Sequence, residues 1–153
     1  MSQYSATIVW QRHNQKFIDG QYSRAHEWEF DGGARIAASA SPQIVPLPQS
    51  VAENVDPEEA FVAALSSCHM LFFLSIAAKR RYLIDRYVDT ATGILAADDA
   101  GNLAMTRVVL RPKTVFSGTR QPTGEAIEKM HHQAHDFCFI ANSVKTRIDI
   151  EIQ

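Results

Sequence analysis

The chain has 153 residues, 46% of them hydrophobic, enough for one domain whose core needs no disulfide staple. Fifteen Lys and Arg against seventeen Asp and Glu leave a net charge of -2 without a basic stripe, which argues against a nucleic-acid surface. The start Met1-Ser2-Gln3-Tyr4-Ser5 lacks the basic and apolar stretches of a signal peptide. The expected location is therefore the cytoplasm, where two cysteines are more often buried fillers, metal ligands or redox groups than a staple.

In chain order, Thr7 to Trp10 is rich in strand formers, and a polar loop follows from Gln11 to Arg24. His26-Glu27-Trp28-Glu29-Phe30 alternates polar with aromatic, as a half-buried strand does. The turn Asp31-Gly32-Gly33 leads into a strand at Ala34 to Ala37. Three prolines between Ser41 and Ser50 predict an extended loop. Asp56-Pro57-Glu58-Glu59 then predicts a helix start: Asp56 caps, Pro57 takes the first turn, and Glu59 has capping-box spacing. With Lys79-Arg80-Arg81 suiting its negative end, the helix is expected from about Pro57 to Arg81.

Phe61 to Ala78 carries no charge, close to the roughly 20 residues a membrane span needs. The segment also contains Ser66, Ser67, Cys68, His69 and Ser75, so a helix enclosed by protein is the expectation and a membrane span is not. Strands are expected over Tyr87 to Ala96 and Asn102 to Val115, joined at Asp98 to Gly101. A second helix, from Pro122 or Thr123 to Asp136 or Phe137, carries the apolar stripe Ala126, Ile127, Met130 and Ala134. Lys145 to Ile152 alternates as a closing strand. Strands, helix, hairpin, helix and strand predict a single α+β domain over residues 1–153 with mostly antiparallel sheet.

Cys68 falls in the first helix and Cys138 just past the second, 70 residues later, so only the fold can bring them together. On residue type alone, two buried small hydrophobes is an equal reading. However, Asn54-Val55-Asp56-Pro57-Glu58-Glu59, with the Ala-rich run to Cys68-His69, resembles the first cysteine motif of the OsmC/Ohr family of osmotically inducible and organic hydroperoxide resistance proteins. Ala134-His135-Asp136-Phe137-Cys138, followed by Asn142-Ser143, resembles the second.

The resemblance implies antiparallel sheets wrapped around a long buried central helix in an intertwined homodimer. It also implies a two-cysteine peroxidase acting on organic hydroperoxides, with Cys68 peroxidatic and Cys138 resolving. Arg24 would be the cation beside Cys68, held by Glu58, with Arg35 as the fallback. The resemblance implies no bound cofactor, only an external dithiol reductant of lipoyl or other type. Two positions depart from the family pattern: Phe139 stands where many members have Pro, and His69 where many have an aromatic or aliphatic residue. His69 is expected to pack or to form interface.

The implied chemistry makes demands on these residues. An ordinary cysteine, with pKa about 8.5, is only about 3% thiolate at pH 7, and the thiolate is the nucleophile. An apolar helix disfavours the thiolate further, so a fixed cation such as Arg24 becomes necessary. Phe61, Leu65, Phe72, Phe137 and Phe139 could line an apolar approach for alkyl hydroperoxides, although such residues are usually core.

Three other readings compete, one of them a non-catalytic binding or stress protein that keeps the family's fold but lacks the Arg–Cys contact. His131 and His135 are four apart, and with Cys138 and Cys68 they offer a nitrogen and sulfur set for a metal. His131 and His132 are otherwise expected at the exposed helix end, complementing its dipole. A hotdog-like acyl-thioester enzyme would need no cysteine and could use Glu58 as base.

Overall fold

The computed structural model describes residues Met1–Gln153, and the contacts divide them into two compact units, Met1–Ala60 and Phe61–Gln153. In the first unit β1 (Ala6–Val9), β2 (His26–Phe30) and β3 (Arg35–Ala38) form an antiparallel meander. Trp28 pairs with Ile8 on one side and Ile36 on the other, so the alternation of β2 builds one apolar row across the sheet.

Helix α1 (Pro57–Lys79) starts where the capping box places it. The Glu59 backbone N–H donates to Asp56 Oδ1 at 2.8 Å, and the Asp56 N–H donates to Glu59 Oε2 at 3.3 Å. The helix ends two residues before the expected Arg81, which has a positive φ of 61°.

The second unit continues with β4 (Leu83–Asp89), β5 (Thr92–Ala97), β6 (Leu103–Leu110), β7 (Pro112–Ser117), α2 (Gly124–Phe137), the short 3-10 turn Ala141–Ser143 and β8 (Arg147–Ile150). β4 pairs only with β7, whereas β5, β6 and β8 form a separate sheet. Each of the two long strands expected from the sequence is therefore two strands in different sheets. The breaks fall at Thr90–Ala91 and at Arg111, where the Arg111 N–H donates to the Asp89 carboxylate at 2.6 Å. β6 and β8 run parallel, and the other strand pairs are antiparallel.

Within the chain α1 buries one stripe: Leu65, His69, Phe73, Ile76 and Ala77. Leu65 packs with Val108 and Leu110 of β6, with Ile148 and Ile150 of β8 beside them. Phe73, Ile76 and Ala77 pack with Met130 and Ala134 of α2 and with Ile84, Tyr87 and Phe116 of the β4–β7 sheet. One helix thus closes two sheets and receives α2. Gly93 is required at this junction, because a Cβ there would lie 2.6 Å from Val62 Cγ2 of α1 and 2.4 Å from Met105 Cε. By length and composition α1 could cross a bilayer, and its opposite face is open, with Leu71 61% exposed.

Candidate active site

Cys68 lies at the edge of the buried stripe of α1, half-exposed, one residue before the buried His69. Cys138 is the C-cap of α2, 1% exposed, and its own N–H donates to His135 O. Thr123 starts this helix, its hydroxyl accepting from the Ala126 N–H at 3.2 Å. Met130, His131, Ala134 and Cys138 share one face, so the stripe that docks α2 also delivers the second thiol.

Both cysteines are free, and the Cys68 side chain lies near enough to Cys138 to perturb its thiol. Burial and the Cys68 side chain push the Cys138 thiol up to about 11, against the opposing effect of the Ala141 N–H, which donates to its Sγ at 3.4 Å. Cys138 is therefore a thiol at neutral pH. Phe139 and Phe137 flank it, Phe139 edge-on to Phe72 with ring centroids 5.0 Å apart. Of the five expected lining residues, Leu65 is sealed in the core with Phe61 against it, while Phe137 and Phe139 present open apolar surface.

Beneath the thiols is a feature that residue type alone does not reveal. His69 and His131 form a buried hydrogen bond, Nε2 to Nδ1 at 2.9 Å, with their rings coplanar within 1°. His131 also stacks on Phe73, centroids 4.0 Å apart. The expectation that His131 is an exposed helix-end residue is therefore wrong: it is 2% exposed. Its spacing of seven from Cys138, two helical turns, was the available signal. Burial, with His135 nearby, lowers His69 to about 4. Burial, with His69 and His132 nearby, lowers His131 to about 3. Both rings are neutral at physiological pH. No three His, Cys, Asp or Glu side chains converge as a metal site, so the set His131, His135, Cys138 and Cys68 is not assembled as one.

Arg24 and Glu58 lie in the first unit. The Arg24 guanidinium donates from Nη1 to Gly20 O at 2.9 Å and to Tyr22 O, and its Cζ stands 3.6 Å from the Tyr22 ring centroid. It makes no ion pair with Glu58, so the implied pairing is not formed within the chain. Arg35 is committed to Glu27 at 3.2 Å and Glu29 at 3.0 Å on the strand surface. Arg24 instead borders a cavity of about 480 Å3 whose wall includes Ile8, Trp10, Phe17, Tyr22 and His26. Phe17 stacks on Tyr22 with centroids 4.5 Å apart, giving the loop expected to be merely polar a partly exposed aromatic cluster.

An α+β chain that brings two distant thiols together in a setting of aromatic side chains defines a two-thiol protein of this architecture. The chain belongs to the OsmC-like protein family, whose model matches residues 50–153. An OsmC-like protein of unknown function from Vibrio cholerae is 62% identical over the whole of both chains, with a TM-score of 0.99. An organic hydroperoxide resistance protein from Elizabethkingia anophelis shares the fold at 16% identity and TM-score 0.71, covering 99% of this chain and 94% of that one. The organic hydroperoxide resistance protein of Bacillus subtilis does so at 18% identity and TM-score 0.66, covering 98% and 97%. No curated protein matches the chain.

Proposed function

We propose that the protein is a thiol-dependent peroxidase that reduces organic hydroperoxides, with Cys68 as peroxidatic and Cys138 as resolving cysteine. The observation that carries this reading is the proximity of two free cysteines delivered by different helices, close enough that the Cys68 side chain perturbs the Cys138 thiol. The Cys68 thiolate attacks the terminal oxygen of the hydroperoxide. The O–O bond breaks, the organic oxygen takes a proton and leaves as the alcohol, and Cys68 becomes a sulfenic acid. Cys138 then attacks the Cys68 sulfur, forming the disulfide and releasing water. An external dithiol returns two electrons and two protons by exchange.

The two cysteines differ in a way that suits these roles. Cys138, buried and held as a thiol near Cys68, does not compete for peroxide. Arg24 supplies the cation that a reactive thiolate requires, and an Arg donor also suits the departing alkoxide. Glu58, unpaired within the chain, is its partner in a homodimer, where the open face of α1 is covered. The apolar surfaces at Phe137 and Phe139 and in the cavity beside Arg24 favour alkyl or aryl hydroperoxides over hydrogen peroxide. The organic hydroperoxide resistance proteins that share the fold support the same reading. The site is proposed to work in the cytoplasm.

The test is stoichiometric. Reduced protein receives one equivalent of cumene hydroperoxide, with hydrogen peroxide in parallel, and free thiols are counted by mass spectrometry. Rapid loss of both thiols with a Cys68–Cys138 disulfide is expected. Two untouched thiols would overturn the reading.

A further inference from the structure

The buried histidine pair has no step in this chemistry, yet it sits between the two elements that carry the thiols. His69 follows Cys68 on α1, and His131 lies two turns before Cys138 on the same face of α2. Their 2.9 Å bond is the side-chain hydrogen bond between the buried faces of these helices. Phe73, one turn beyond His69, stacks on the His131 ring and fixes its plane.

Packing alone gives little reason for this pair. Each ring has one nitrogen that is buried and unpartnered, Nδ1 of His69 and Nε2 of His131. A buried polar group left unmet costs about 1–3 kcal/mol, whereas an apolar pair of similar shape would carry no such cost. What the rings provide and an apolar pair lacks is direction. Two planar groups joined nitrogen to nitrogen hold one helix at a set rotation and height against the other.

We propose that the His69–His131 hydrogen bond is a clasp that positions Cys138 against Cys68 for disulfide closure. His69 and His131 are positioning residues, acting through the helices and touching neither substrate nor the reacting sulfurs. Disulfide geometry is narrow, with Cα atoms about 4.4–6.8 Å apart, so a slip of α2 along α1 by a fraction of a turn takes the thiols out of range. This rests on the two-cysteine reading for its purpose, but its test needs no hydroperoxide.

The full-length chain is equilibrated in glutathione redox buffers, where glutathione disulfide accepts the two electrons and Cys68 and Cys138 give up their protons as their S–S bond forms. Acid quench, alkylation and mass spectrometry give the fraction oxidised, and hence the effective concentration of one thiol toward the other. The double variant His69→Leu/His131→Phe removes the bond without leaving an imidazole unmatched. It is expected to stay folded by circular dichroism and to lose about tenfold in effective concentration, a potential about 30 mV less negative. His69→Gln carries its amide about where Nε2 lies and can still bond His131, so it is expected within about threefold of the native value, or about 0.7 kcal/mol.

A folded double variant with the native effective concentration would overturn the clasp. So would His69→Gln falling as far as the double variant, or a native chain that forms no Cys68–Cys138 disulfide. His69→Leu alone carries the test if the double variant does not fold. A native chain that closes the disulfide in glutathione yet consumes no hydroperoxide would sink the peroxidase reading and leave the clasp standing.

Discussion

In Met1–Ala60 the group proposed to serve the site is a cation held from outside the core. Arg24 is tethered by two loop carbonyls and a Tyr22 face beside an open, aromatic-walled cavity. In Phe61–Gln153 the groups proposed to react are thiols set by helix packing, one buried at a helix end and one at the edge of a buried stripe, with a histidine pair between the helices. The first arrangement tolerates a surface that gives, because the Arg side chain is long and its charge is permanent. The second does not, because two sulfurs must meet within about 1–2 Å of a required spacing. The difference teaches that charge can be delivered by a loop, whereas bond formation between protein atoms needs rigid elements.

Breaking the thiol side of that contrast should have the largest effect. Cys68→Ser is expected to bring hydroperoxide turnover to the uncatalysed rate. Cys138→Ser should consume one equivalent and stall, with Cys68 trapped as sulfenic acid by a dimedone label. Full turnover in Cys68→Ser would end the proposal. On the loop side, Arg24→Met is expected to lower kcat/KM about 100-fold, the worth of roughly 2.7 kcal/mol of thiolate stabilisation. Arg24→Lys should fall between the two, and an unchanged rate in Arg24→Met would move the cation's role elsewhere.

The helix pair can be probed by acid. Below about pH 6.5 the unfolded chain protonates both imidazoles, while the folded pair stays neutral down to about 4 for His69 and about 3 for His131. Stability is therefore full above pH 6.5 and falls as pH drops, by about 1.4 kcal/mol per ring for each pH unit in that window. His132 and His135, the other imidazoles facing the pair, add to the same penalty. Urea unfolding at a series of pH values should show a shallower slope in His69→Leu/His131→Phe, and an identical slope would assign the acid sensitivity to other groups. The smallest effect is local. Asp56→Ala opens the capping box of α1 and should cost about 1 kcal/mol, lowering Tm by roughly 2–4 °C for a domain of this size.

Local chemistry was legible in the chain wherever a few neighbouring residues decide the outcome. Asp56, Pro57 and Glu59 announce α1 because a cap is satisfied within one turn, and Asp98 to Gly101 announce the β5–β6 hairpin because Gly101 accepts a positive φ of 83°. The α+β order and the two cysteine motifs were legible for the same reason. The strand break at Thr90–Ala91 was not, since it depends on Asp89 accepting from the Arg111 N–H across 22 residues, whereas the break at Arg111 is marked by Pro112, which the reading of one long strand passed over.

Three facts belong to the tertiary structure alone. Cys68 and Cys138 come near each other because the buried stripes of the two helices pack together, and no spacing encodes a proximity 70 residues apart. His131, polar and beside another histidine, is buried because His69 supplies a partner from the other helix. Arg24 turns to the carbonyls of its own loop, leaving Glu58 unpaired, because those acceptors are within reach of its own side chain. Propensity and capping act over one helical turn. Which polar group finds which partner depends on where distant elements stop, and only the folded chain decides that.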